Sequence, residues 1–208
     1  MSSRLYVVDP ASTLHTLDPA TGSARAVGPT NLANVTDIAF HGPTLYAVTF
    51  SQLARLDPLT GAGTVLGPIG FSTNGLAVAS DGILYAGTTG GELVTVNPVT
   101  GAGTLVGGFG AGLTSSGDLA FDSNDVLYGA LNQGGTVVLA QIDRSSGAAT
   151  VIGAVGLGTL YGLAFHCCRL YGATSAGEVV DVNVAPAAAT VIGRNGLVQW
   201  GLASSHRC

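Results

Sequence analysis

The side chains best placed to do chemistry are Asp37, Asn74, Asp118, Tyr161 and Trp200. Each stands at, or one residue before, a copy of a short small-residue segment; the copies begin near Asp37, Gly75, Asp118, Gly162 and Gly201. Three copies open with glycine, and in the other two an aspartate takes its place. Carboxylates and amides beside large aromatic rings hold sugars and other small polar molecules, the ring by stacking and the polar groups by hydrogen bonds. Two converging aspartates could also bind Ca²⁺ or Mg²⁺ and support a metal-dependent hydrolase or lyase. The competing reading is that Tyr161 and Trp200 simply fill the interior, the usual fate of large aromatics in repeats.

A second group combines His41, His166 and His206 with Cys167, Cys168 and Cys208. Imidazole and thiolate are zinc and copper ligands, but the spacing matches no compact metal motif. Three cysteines permit at most one internal disulfide. The alternatives are Cys208 bonded to Cys167 or Cys168, a bridge between the adjacent pair, or free thiols. The turn residues Asp18, Asp57 and Asp143, with Asn97 as equivalent, recur at one place in each copy. An Asx side chain there bonds backbone N–H groups two residues on, so these are read as structural. No nucleophile elbow, phosphate loop, glutamate pair or zinc-protease helix is present.

The elements that must position these residues follow from a repeat. Leu5-Tyr6, Leu45-Tyr46, Leu84-Tyr85, Leu127-Tyr128 and Leu170-Tyr171 place tyrosines 40, 39, 43 and 43 residues apart. Each pair precedes an alternating segment, a turn such as Asp-Pro-x-Thr-Gly, a Val/Leu-Gly pair and a version of Gly-Leu-Ala-Phe. A period near 40 residues built of short strands predicts a β-propeller with one four-stranded blade per copy. The whole chain is then one all-β domain, a five-bladed propeller with four antiparallel strands per blade. The blades are residues 36–67, 74–107, 117–153 and 161–193, and a composite of 199–208 with 1–28. The chain begins in a second strand and ends in an innermost one, so pairing of the N- and C-terminal strands closes the ring and removes a free edge. The loops from outer to next innermost strand vary while the strands repeat, which puts Asp37, Asn74, Asp118, Tyr161 and Trp200 in a ring around one end of the channel. The histidines and cysteines fall on the hairpins at the other end, in three consecutive blades.

The repeat resembles the divergent bacterial propeller repeats of the YVTN, NHL and gluconolactonase-like groups, through Leu-Tyr…Leu-Asp-Pro-x-Thr-Gly…Gly-Leu-Ala-Phe over the full chain. That resemblance implies a secreted or cell-surface propeller that binds a ligand or acts as a scaffold. In the gluconolactonase group an axial metal is held by Glu, Asn and Asp. Here Glu92 and Glu178 fall at the start of third strands and no Glu lies on an innermost strand, so the resemblance lacks a key lactonase ligand.

Composition narrows the partners. Charged residues make up 9% of the chain, with 7 Lys plus Arg and a net charge of −5, against about 25% charged in an average domain. There is no basic stripe for nucleic acid and no apolar run of the roughly 18 residues a membrane helix needs. The expected function is non-enzymatic: binding of a small polar molecule, glycan or protein, without a cofactor. A weakly charged surface also favours self-association, as in a surface layer or filament. Met1-Ser2-Ser3-Arg4-Leu5 carries no apolar leader core. The Gly-, Thr- and Ala-rich, Lys-poor composition points to an exported protein whose leader is absent from this sequence, the cytoplasm being the alternative.

Overall fold

A computed structural model describes residues 4–110 and 112–205. Its strands are β1 (Leu5–Val8), β2 (Thr13–Leu17), β3 (Ala24–Pro29), β4 (Val35–His41), β5 (Thr44–Thr49), β6 (Gln52–Leu56), β7 (Gly63–Pro68), β8 (Thr73–Val78), β9 (Leu84–Thr88) and β10 (Glu92–Val96). The second half continues with β11 (Gly103–Gly108), β12 (Thr114–Phe121), β13 (Leu127–Gln133), β14 (Thr136–Ile142), β15 (Ala149–Ala154), β16 (Gly162–His166), β17 (Arg169–Ala173), β18 (Glu178–Asn183), β19 (Ala188–Arg194) and β20 (Trp200–Ser204). They form five four-stranded antiparallel sheets, and the first sheet has the order β20-β1-β2-β3. The protein is a five-bladed β-propeller whose ring is closed by pairing Leu5 with Ser204 and Val7 with Leu202.

Five apolar clusters hold the ring together, one at each blade-to-blade junction. The repeat motifs meet each other there. Tyr6 packs on Phe40, Tyr85 on Phe121 and Tyr128 on Phe165 at ring-centroid distances of 5.3, 5.6 and 5.6 Å. The tyrosine of one blade's second strand therefore rests on the phenylalanine of the next blade's innermost strand. Such tilted and edge-on contacts add about 0.5–1.5 kcal/mol each beyond area burial.

Each outer strand carries the same bulge. In β3, β7, β11, β15 and β19 the pairing slips by one residue, leaving Val27, Leu66, Val106, Ile152 and Ile192 as the extra residue. The bulge lets two consecutive apolar residues divide their work. Val65, Leu105, Val151 and Val191 stay exposed, while the residue after each packs on an inter-blade cluster. Twisting the edge in this way also blunts pairing with another chain.

The glycine after the bulge has a separate task. A Cβ on Gly28, Gly67, Gly107 or Gly193 would lie inside contact distance of the carbonyl oxygen of Thr60, Thr100, Ser146 or Thr21, each in the next blade's Thr-Gly or Ser-Gly turn. The Asp-Pro-x-Thr-Gly turn thus closes its own hairpin and also seats on the preceding blade. Within that turn Asp18, Asp57 and Asp143 accept the N–H groups of Ala20, Leu59 and Ser145 at 2.8 Å, and Asn97 accepts that of Val99 at 2.9 Å. Those bonds, and for Asp143 chiefly the Ser145 hydroxyl, which donates to its Oδ1 at 2.6 Å, hold the three aspartates' carboxyl pKa values below the usual level.

Candidate functional site

The innermost strands β4, β8, β12, β16 and β20 have one edge paired and one edge facing the axis. Free N–H groups along an axial edge need acceptors, because buried donors left bare cost free energy. Asp37 and Asp118 supply them. Asp37 Oδ1 accepts the N–H of Ile38 at 2.7 Å and Oδ2 that of Leu76 at 2.5 Å. Asp118 Oδ1 accepts the N–H of Leu119 at 2.6 Å, and Oδ2 accepts those of Leu163 and Leu202 at 2.6 and 3.1 Å. Two carboxyl groups therefore satisfy one donor from each of the five blades.

Glycines make the room. A Cβ on Gly201 would fall on Asp37, one on Gly162 would meet Leu202 Cβ at 2.8 Å, and one on Gly75 would meet the Gly117 carbonyl at 2.6 Å. Both aspartates are fully buried, at 0% exposure, and each carboxyl group influences the protonation of the other. Burial pushes the Asp118 carboxyl up to about 7 against the N–H bonds that favour its ionised form. Asp37 is also raised well above the usual carboxylate value, by burial and by the neighbouring charge of Asp118. Neighbouring buried carboxyl groups resist ionising together, so the second proton leaves the pair less readily than the first. Asp118, with three N–H donors, is the better carboxylate and Asp37 the better acid.

The ring expected at the channel mouth therefore separates into two layers. Asp37 and Asp118 do not face the opening; they turn inward and seal the channel, because the axial N–H groups compete for their oxygens. Asn74, Tyr161 and Trp200 come together one layer out, where they line a cavity of about 210 Å³ with Thr36, Phe50 and Ser116. On the other side of the carboxyl pair, the axial space between the leucines is about 40 Å³.

Bulges aim the mouth residues. The pairing slips past Thr36 in β4, Asn74 in β8 and Gly201 in β20, and across residues 116–118 in β12. Bulges re-aim side chains in this way beside functional sites. The Thr36 hydroxyl is spent on the carbonyls of Val48 and Thr73 at 3.2 and 3.4 Å. Asn74 Nδ2 donates to the Ser115 carbonyl at 3.4 Å, whereas its Oδ1 is buried without a hydrogen-bond partner. Phe50, 44% exposed, comes from the β5–β6 hairpin. That hairpin returns to the same mouth as the outer-to-inner loops, and the only signal for it in the sequence is an aromatic residue at a turn.

The histidine and cysteine group is dispersed. The His41 ring lies against Gly82 of the next blade, and His166 Nδ1 pairs with Ser204 Oγ at 2.9 Å. Cys167 and Cys168 are exposed free thiols, so the adjacent pair is not bridged. They form the β16–β17 turn with φ of 47° and 62°, the left-handed positions where Asn-Gly is usual. His206 and Cys208 lie outside the described residues. Among the described residues no three His, Cys, Asp or Glu side chains gather as a metal site. A larger cavity at this end, about 360 Å³, runs past Phe40, His41, Ser80, Asp122 and Asp125. Arg144 ties Asp81 and Asp125 together beside it, at 3.2 and 3.6 Å.

No protein-family model and no curated protein matches the chain. Solved structures do. The chain is similar to one in the crystal structure of a nidogen/laminin complex, with a TM-score of 0.66 and 12% identity over 100% of both chains. It is similar to the PQQ-bound aldose sugar dehydrogenase of Streptomyces coelicolor, with a TM-score of 0.57 and 16% identity over 98% of this chain and 82% of that one. The extracellular domain of a hybrid two-component system from B. thetaiotaomicron gives a TM-score of 0.51 and 15% identity over 99% of this chain and 31% of that one. At these identities the likeness concerns the propeller fold. No helix among the described residues is long and apolar enough to cross a membrane.

Proposed function

We propose that the protein is a non-enzymatic binding propeller that takes a small polar ligand in the Asn74–Tyr161–Trp200 cavity. The observation that carries this reading is Asn74, whose Oδ1 is a buried acceptor without a partner and which lines an aromatic-walled space. A bare buried acceptor costs about 1–3 kcal/mol, which a ligand donor would recover. The hydrolase alternative needs Asp37 and Asp118 to face substrate or metal, and both are engaged with the five axial N–H groups. The repeat's resemblance to the YVTN, NHL and gluconolactonase-like groups, and the extracellular domain among the similar structures, favour a protein working outside the cell. A scaffold or self-assembling role has its own support in the exposed Leu59, Val99, Val65 and Leu105 on two adjacent blades. Association that grows with concentration in sedimentation would favour it, and a monomer at high concentration would remove it.

Trp200 is the sole tryptophan, so intrinsic fluorescence reports on the cavity directly. Titration with a panel of small polar molecules and glycans should change the Trp200 emission saturably. Trp200→Ala should abolish binding measured by calorimetry while the circular dichroism spectrum is kept. Unchanged affinity in a folded Trp200→Ala protein would sink this site.

A further inference from the structure

Resting on that reading of the cavity, we infer that its ligand is a small organic cation: an ammonium group carrying at least one N–H. Three independent features converge. Phe50, Tyr161 and Trp200 line the space, and aromatic faces attract cations, most strongly where water is excluded. No lining residue is charged, so neither an ion pair for an anion nor a competing protein cation is present. Asn74 Oδ1 accepts and cannot donate, which suits an N–H and gives nothing to a carboxylate or phosphate.

A further feature lies one residue deeper. Thr36 and Gly117 line the cavity, and the residues after them are Asp37 and Asp118. At pH 8, above the Asp118 value of about 7, the pair carries negative charge, burial favouring the proton on Asp37. Among the described residues no Lys, Arg or His forms an ion pair with it. The N–H bonds spread the charge without cancelling it, and in a low-dielectric interior its field reaches the next layer. A cation in the cavity is the missing counter-charge. A neutral sugar fits less well: it needs several polar contacts, while the Thr36 hydroxyl is already committed and Asn74 offers one free acceptor.

The test uses three probes of nearly equal shape at pH 8: protonated N,N-dimethylethanolamine, choline, and the uncharged 3,3-dimethylbutan-1-ol. Trp200 fluorescence and calorimetry on the full chain should rank them in that order, each cation at least tenfold tighter than the neutral alcohol. Choline lacks the N–H, so its deficit against the dimethyl amine should vanish in Asn74→Ala. Asp37→Asn leaves Asp118 to carry the charge and should keep the cation preference. Asp37→Asn with Asp118→Asn removes the charge and should bring the cations down to the alcohol's affinity, circular dichroism showing that the ring persists. The comparison on the unaltered protein decides the matter even where the double variant does not fold. Equal affinity for the alcohol and the cations, or binding of neutral sugars alone, overturns the cation inference and leaves the binding cavity standing. No response to any small molecule overturns both.

Discussion

Removing Asp118 should damage the ring more than removing Asp37, although the two residues occupy equivalent positions in their blades. Asp118→Ala strips the acceptor from three axial N–H groups, those of Leu119, Leu163 and Leu202, and Asp37→Ala from two, those of Ile38 and Leu76. Each buried donor left bare costs about 1–3 kcal/mol. The expected losses are therefore roughly 3–9 kcal/mol for Asp118→Ala and roughly 2–6 kcal/mol for Asp37→Ala on the same scale. Single domains are stable by only about 5–15 kcal/mol in all, so Asp118→Ala should be unfolded or close to it and Asp37→Ala weakened but foldable. Asp118 also joins three different blades, β12 to β16 and β20, so its loss should reduce the cooperativity of unfolding. The assay is urea denaturation followed by circular dichroism and Trp200 fluorescence, with midpoint and slope fitted separately. If Asp118→Ala unfolds within about 1 kcal/mol of the parent, water has replaced the carboxylate at no cost. The account of the pair as the hub of the ring would then be wrong.

Stability should fall as the pH is raised from 5 to 8. Both carboxyl groups bind protons more tightly in the folded ring than in the unfolded chain. Their contribution is thus fully present below about pH 4 and lost as pH rises through the folded values, about 7 for Asp118, with Asp37 raised in the same direction. For Asp118 alone the change from pH 5 to about 7 is on the order of 3 kcal/mol, at about 1.4 kcal/mol per pH unit. Melting temperatures of the parent and of the Asp37→Asn, Asp118→Asn double variant check it: the difference between them should depend on pH in this sense, and a flat difference refutes it. The turn aspartates, whose carboxyls are depressed, act in the opposite sense, at lower pH. Gly67→Ala should destabilise by about 1–3 kcal/mol, because the new Cβ meets the Thr100 carbonyl. Gly153→Ala should be nearly neutral, since its Cβ meets only that of Ala187, at 3.3 Å. Thermal melts of the two variants side by side separate a blade-to-blade seat from a general intolerance of alanine in outer strands.

The ring was legible in the sequence because period, turn chemistry and strand length all repeat; one copy confirms the next. The composite blade was legible for the same reason, as the copy split between the two ends of the chain. What the repeat hides is the purpose of its invariant parts. Gly28, Gly67, Gly107 and Gly193 read as strand ends, and their contact with another blade's turn is a long-range fact with no local trace. At the mouth, Asn74, Tyr161 and Trp200 could be placed from blade order alone. Asp37 and Asp118 were visible as departures from glycine, but their direction depends on unpaired N–H groups that appear only when five edges meet. Phe50 carries no repeat signature of its own; it sits in the β5–β6 hairpin, which returns to the same opening as the outer-to-inner loops. Cys167 and Cys168, candidates by residue type, form the β16–β17 turn with left-handed φ angles, a placement the residue types alone do not reveal.

The axial pair sets an arithmetical limit on symmetry. Five edges bring five donors to one point, and two carboxyl groups serve them by dividing the work three to two. Five identical blades could not do this. A glycine in every copy would leave the donors bare, and an aspartate in every copy would crowd five acids into a space that glycines now keep open. Each blade therefore has its own address in the ring, and copies that look interchangeable on paper are not free to trade places or be averaged into a consensus.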